Sequence, residues 1–206
     1  MLLENEIRIL DILPYGPDGP QGSLKCEIRV ETLSNYPVYD ALSYRWGDPG
    51  RKRCILVDNQ EFFVTRTLYA ALLRLRQKDN KQSLWIDQIC IDQNNLVEKA
   101  IQVRLVGKIY LQCNQCLIWV EEIDDSIPLA HAEAIIEMFT WMADSSHLPV
   151  PACLASLSDF QGPCKALNSV GPFDNSWWHR IWTVQEAIIP AKKSLLWGPY
   201  DYHGSH

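Results

Sequence analysis

Along the first third of the chain, apolar positions come in short runs broken by turn formers. "EIRILDIL" and "LKCEIRVETL" have the composition of strands, and the Gly/Pro-rich "PYGPDGPQG" between them is a loop. "YDALSYRWGDPG" is a short strand that runs into a second Gly/Pro loop, and "CILVDNQEFFV" is a hairpin turning at "DNQE". The period then lengthens. In "TRTLYAALLRLRQ", Leu68, Leu72 and Leu75 fall on one helical face. "SLWIDQICI" is a continuous apolar run, which suits a strand buried on both faces of a parallel sheet. "NNLVEKAIQVRLVGKIY" returns to helical spacing, and "CLIWV" is another buried strand. A helix is predicted over Ile127 to Ala143. Residues 144–175, rich in Ser, Pro and Gly, read as a long loop or insertion. Ser176 to Ile189, "SWWHRIWTVQEAII", is predicted as one helix, and "LLWGPYDYHGSH" trails off after it.

Strand, helix, strand, helix in this order implies an α/β fold. The expected architecture is a mostly parallel central sheet flanked by helices. β-Hairpin additions precede it, and a long loop insertion lies near 144–175. The 206 residues fit a single domain over 1–206, with its core at about 7–200. Net charge is −6 with no basic stripe, so nucleic acid is not an expected partner. No apolar run is long enough to span a bilayer. "MLLENEIRIL" has acids where a signal peptide has a basic region, and seven cysteines without framework spacing fit reduced thiols. The expected location is therefore cytoplasmic.

The candidate chemistry lies in carboxylates set among apolar residues. On a helical wheel Trp177, Ile181, Val184 and Ile188 form one stripe, flanked by Trp178, Trp182 and Ile189. Glu186 lies one turn beyond Trp182, at the edge of that arc. Two readings are open from spacing: a boundary carboxylate paired with an arginine, or a carboxylate at the mouth of an aromatic-lined cleft. Glu98, Gln102, Leu105 and Ile109 share a second line. Glu98 suits a capping box with Asn95. Gln102 points the same way, so the pair fits the lip of a crevice beyond strand ends. "WIDQICIDQ" places Asp87 and Asp92 at a β-to-α junction, with Arg45 or Arg180 as partners for Asp87. No motif supports a metal site. "CNQC" has half-site spacing without a second pair, and no Gly-rich phosphate loop is present.

Three stretches, "YDALSYRWGD", "LWIDQICIDQNNLVEKAIQVRLVGKIY" and "WWHRIWTVQEAI", resemble in order and spacing the three motif blocks of the fungal heterokaryon-incompatibility (HET) domain. The likeness covers about Ile7 to Tyr200. One departure is "LVGKIY", where the family more often has a methionine in place of Val106 or Gly107. The resemblance implies a cell-death effector or signalling module akin to innate immunity. "YDALSYRWG" and "RIWTVQEA" also resemble a strand and a Trp-x-x-Glu helix of Toll/interleukin-receptor (TIR) domains, whose central sheet is flavodoxin-like.

That second likeness implies cleavage of NAD at the nicotinamide–ribose bond, with Glu186 as the catalytic carboxylate. The residues expected around the substrate are Tyr44, Arg45, Trp46, Asp87, Asp92, Glu98, Gln102, Arg180, Trp182 and Gln185. A nucleotide is then the substrate and no cofactor is needed. The alternative is a non-catalytic module that signals by self-association. In it the same polar groups form a structural network: Arg180 with Asp87, Glu98 with Asn95, and Glu186 with Arg45.

Overall fold

The structure is a computed structural model that describes residues 2–19, 22–144, 161–171, 175–180 and 183–204. Its strands are β1 (Glu6–Ile12), β2 (Lys25–Thr32), β3 (Asp40–Tyr44), β4 (Lys52–Val57), β5 (Gln60–Thr65), β6 (Gln82–Trp85), β7 (Cys116–Glu121), β8 (Lys193–Trp197) and β9 (Tyr200–Gly204). The described helices are α1 (Arg66–Leu75), α2 (Asp87–Cys90), α3 (Leu96–Gln112), α4 (Leu129–Asp144), α5 (Gln161–Val170) and α6 (Thr183–Ile188). All nine strands join one sheet in the order β5-β4-β2-β1-β6-β3-β7-β8-β9.

The expected α/β class holds, but the sheet is mixed and not mostly parallel. Strands β6, β3, β7 and β8 run parallel in its interior. Antiparallel ladders flank them, β1 with β2, β4 with β5, and β8 with β9, and β2 pairs parallel with β4. β1 also pairs antiparallel with β6, so the first strand lies inside the sheet. The expected N-terminal hairpin additions, which join the sheet, account for part of its mixed character, and the unexpected β8–β9 pair for the rest. The β1–β2 and β4–β5 connections close antiparallel pairs, whereas the parallel neighbours β6, β3, β7 and β8 are joined by crossovers.

β3 is buried at every position, as a strand covered on both faces must be. Ile7, Ile9, Leu10 and Ile12 from β1 meet Leu42, Leu84 and Trp85 in the same core cluster. α4 packs on α5 and on β9, and α3 touches α6. Three predicted elements differ in extent. The run "SLWIDQICI" stops being a strand at Trp85, because Asp87 accepts from the Gln88 N–H at 2.7 Å and opens α2. The stretch expected as one helix from Ser176 is a 3-10 turn (Ser176–His179) followed by α6. Asn175 caps that turn through the Trp177 N–H, and extended backbone at Arg180 ends it. β-Branched and aromatic residues in this stretch form helix weakly. The segment that trails off after Ile189 is instead the β8–β9 hairpin. Within the expected insertion, residues 161–170 are helical, while 145–160 lie outside the described residues.

Candidate functional site

A cavity of about 470 Å³ opens beyond the carboxyl ends of β3 and β6. Crevices of open α/β sheets lie at such strand ends, and this volume is within the range of small-molecule sites. The first motif supplies Arg45, Trp46 and Gly47 from the loop after β3. Gly47 has φ +75, and a Cβ there would meet Thr67 Oγ1 at 2.3 Å, so only glycine lets this loop lie against α1. The second motif supplies Trp85 and Asp87 from the β6–α2 junction, with Val103, Val106 and Tyr110 from α3. Arg180 and Glu186 close the wall from the third.

Hydrogen bonds tie the first motif to each of the other two. Ser43 Oγ donates to Glu186 Oε2 and accepts from the indole of buried Trp177 at 2.7 Å. Arg180 donates to the Tyr44 carbonyl at 2.6 Å and to both oxygens of Glu186, at 3.3 and 3.2 Å. The Trp46 indole donates to both Asp87 oxygens, at 3.1 and 2.9 Å. Thr183 Oγ1 donates to the Trp177 carbonyl at 2.6 Å and so fixes α6 on the preceding turn.

Burial pushes the Glu186 carboxyl above its ordinary range, and the charge of Asp87 adds to this; Arg180 and the Ser43 hydroxyl oppose it. Asp87 is also raised by burial, against the Trp46 indole and Arg180. The wall therefore holds two carboxylates whose ionised forms depend on one guanidinium. A fixed carboxylate of this kind can stabilise a developing cation or accept hydrogen bonds from substrate hydroxyls.

Of the expected site residues, Arg45, Trp46, Asp87, Arg180 and Glu186 line this cavity. Tyr44 lies beneath it, fully buried, with its hydroxyl on Gln88 Oε1. Glu98 and Gln102 are not in its lining. They face β1, where Arg8 pairs with Glu98 at 2.5 Å and Gln102 Nε2 donates to the Glu6 carbonyl at 2.8 Å. Their inward direction is correct, but β1 occupies the place expected for a crevice lip. Asp92 is exposed and caps the Asn94 N–H. Gln185 is half-buried and outside the lining, and Trp182 lies outside the described residues.

The expected pairings also rearrange. Arg180 pairs with Glu186, Arg45 pairs with Glu121 at 3.1 Å, and Asp87 takes Trp46. Only Glu98 with Asn95 is as anticipated, the Asn95 side chain accepting from the Glu98 N–H at 3.1 Å. Ser43, Gln93 and Lys99 were not anticipated. Ser43 alternates with Leu42 and Tyr44 on a strand, so a small polar residue there was the one available signal.

Arg8 and the Asp92 N–H hold the Glu98 carboxyl down at about 2, below its ordinary 4.5. A depressed folded value contributes stability that is present above the unfolded pKa and lost as pH falls through the folded one. Wild type is expected to lose melting temperature between about pH 4.5 and 2. Arg8→Met should flatten that segment of a thermal-unfolding pH profile; an unchanged profile would remove the pair from acid stability.

Among the described residues no group of three or more His, Cys, Asp or Glu is placed to hold a metal, and no helix is long and apolar enough to cross a membrane. Cys113 and Cys116 of "CNQC" are both buried free thiols. Burial pushes Cys113 up to about 12 and Cys116 well above its usual value, opposite to a redox-active pair.

A family model described as "Heterokaryon incompatibility protein (HET)" matches residues 39–186, from the residue before β3 to the cavity carboxylate itself. The chain is also similar to the curated "Heterokaryon incompatibility protein 6, OR allele" of Neurospora crassa, at 31% identity over 90% of this chain and 32% of that protein. It thus spans about a third of the length of that relative. No solved structure matches the chain.

Proposed function

The chain belongs to the heterokaryon-incompatibility (HET) family, and from that premise we propose that it is a cell-death effector domain that hydrolyses NAD at the nicotinamide–ribose bond. The observation behind this reading is the convergence of Glu186, Arg180 and Asp87 on one cavity beyond parallel strand ends. The interior strands support the TIR likeness as well. Taken in chain order as first to fourth, β3, β6, β7 and β8 lie in the order second, first, third, fourth, an order that four neighbouring strands of a flavodoxin-like sheet share.

Nicotinamide in NAD is a cationic leaving group, and its departure leaves an oxocarbenium-like ribose. Glu186 stabilises that charge as an anion. Burial works against the anion, so Arg180 and Ser43 are positioning residues that keep Glu186 ionised and fixed. Asp87 accepts from ribose hydroxyls, with its orientation set by the Trp46 indole. Trp46, about two-fifths exposed at the mouth, offers a face for a flat ring. Water then attacks the ribose and gives ADP-ribose and free nicotinamide.

The second reading is a non-catalytic module acting by self-association. It draws on the same network, because both Glu186 oxygens already have partners and the carboxylate needs no substrate to be satisfied. The test is to incubate the purified protein at high concentration with NAD and follow nicotinamide by chromatography. Release that scales with protein supports the hydrolase. A protein that kills cells on expression yet releases none when concentrated establishes the module.

A further inference from the structure

A second cavity, of about 640 Å³, lies beyond the carboxyl ends of β3 and β7. Arg45 and Gly47 stand in the walls of both cavities. The two linings differ in kind. The first is mainly aromatic and aliphatic, with the carboxylates at one side. The second is polar. Its cations are Arg45, Arg51 and Arg66; Asp48 pairs with Arg51 at 3.5 Å, and Glu121, Glu122, Asp124 and Asp125 from the end of β7 and the loop after it share the lining.

These charges are not all neutralised internally. Arg45 pairs with Glu121, but Arg66 has no ion pair among the described residues. Arg66 opens α1, a ten-residue helix whose first turn contains no acid, and both Arg66 and Thr67 line the cavity. A guanidinium at a helix start suits phosphate. Glu122 and its neighbours, following β7, suit hydroxyl donors and repel any further anion.

Resting on the nucleotide reading above, we propose that the two cavities form one bipartite dinucleotide site. The first takes the nicotinamide-ribose half and the second takes the adenosine half, with the pyrophosphate at Arg45 and Arg66. Two consequences separate this from a site for any nucleotide. The adenosine diphosphate half binds without the nicotinamide. A phosphate on the adenosine 2′-oxygen is rejected, because it would be set among the carboxylates after β7. The substrate is then NAD and not its 2′-phosphorylated form.

The experiment is calorimetric titration of the whole chain with ADP-ribose and with 2′-phospho-ADP-ribose. Wild type is expected to bind ADP-ribose at least tenfold more tightly than the phosphorylated form. Arg66→Ala should weaken ADP-ribose binding by about tenfold or more, the usual effect of losing a charged hydrogen bond. Arg66 is exposed, so the variant should fold; melting temperature checks this. Arg53→Ala, exposed on β4 outside both linings, should bind as wild type does. No ADP-ribose binding, equal binding of the two ligands, or an Arg66→Ala protein with undiminished affinity would overturn the proposal. The readout is binding, so it separates the two ideas. ADP-ribose bound as expected by a protein that releases no nicotinamide keeps the bipartite site and rejects the hydrolase.

Discussion

Replacing Glu186 by glutamine is expected to abolish nicotinamide release and cell killing together. The change preserves shape and removes the charge that faces the developing cation. By analogy with the loss of one oxyanion-hole donor, the barrier should rise by about 3–4 kcal/mol. That is a rate loss of about a hundredfold or more. The carboxylate is also half of a buried pair with Arg180, so a neutral amide should cost some stability, about 1–3 kcal/mol. Activity and melting temperature must therefore be measured on the same preparation. A folded Glu186→Gln protein with wild-type turnover would remove Glu186 from the chemistry. One that still kills while releasing nothing would point to the self-associating module.

Removing Arg180 should have the largest effect on the fold. Arg180→Ala loses the bonds to the Tyr44 carbonyl and both Glu186 oxygens, and it leaves a buried carboxylate without its cation. Breaking such a pair costs about 3–5 kcal/mol, which for a chain of this size lowers the melting temperature by roughly 10 °C. The defect should depend on pH in a defined sense. Glu186 is raised in the folded state, so it binds a proton more readily there than when unfolded, and it favours folding more at low pH than at neutral pH. Without Arg180 the folded value rises further. The deficit of the variant relative to wild type should shrink as pH falls from about 7 towards 5, measured by thermal unfolding. A deficit independent of pH would mean that the Tyr44 contact, and not the charge pair, is what matters.

Much of this fold was legible because its elements obey short-range rules. The strand "CLIWV", the hairpin turning at "DNQE" and the Asn95–Glu98 cap each follow from residues within a few positions of one another. The errors arose where a partner is distant in sequence. Nothing local says that β1 lies between β2 and β6, yet that placement makes the sheet mixed and diverts Glu98 and Gln102 from the cavity. Glu186 was found from its setting among indoles, but its true partners, Ser43 and Arg180, are fixed by the break after His179 that a regular helical wheel conceals. Asp87 could be seen to need a donor, though Trp46 and not an arginine supplies it. Residues that act in pairs across the sheet are invisible to periodicity, which reads one element at a time.

The interior position of β1 bears on how this domain is bounded. The family match begins at Tyr39, after β1 and β2 are complete. In space those two strands stand between β4 and β6, so they join the β4–β5 hairpin to the parallel strands. The portion shared with the family is therefore not a detachable module with an optional leader. Within the sheet its two parts are joined through strands that precede it, so the shared motifs and the preceding strands form one continuous sheet. β1 and β2 therefore support the cavity through the sheet, even though none of their residues lines it.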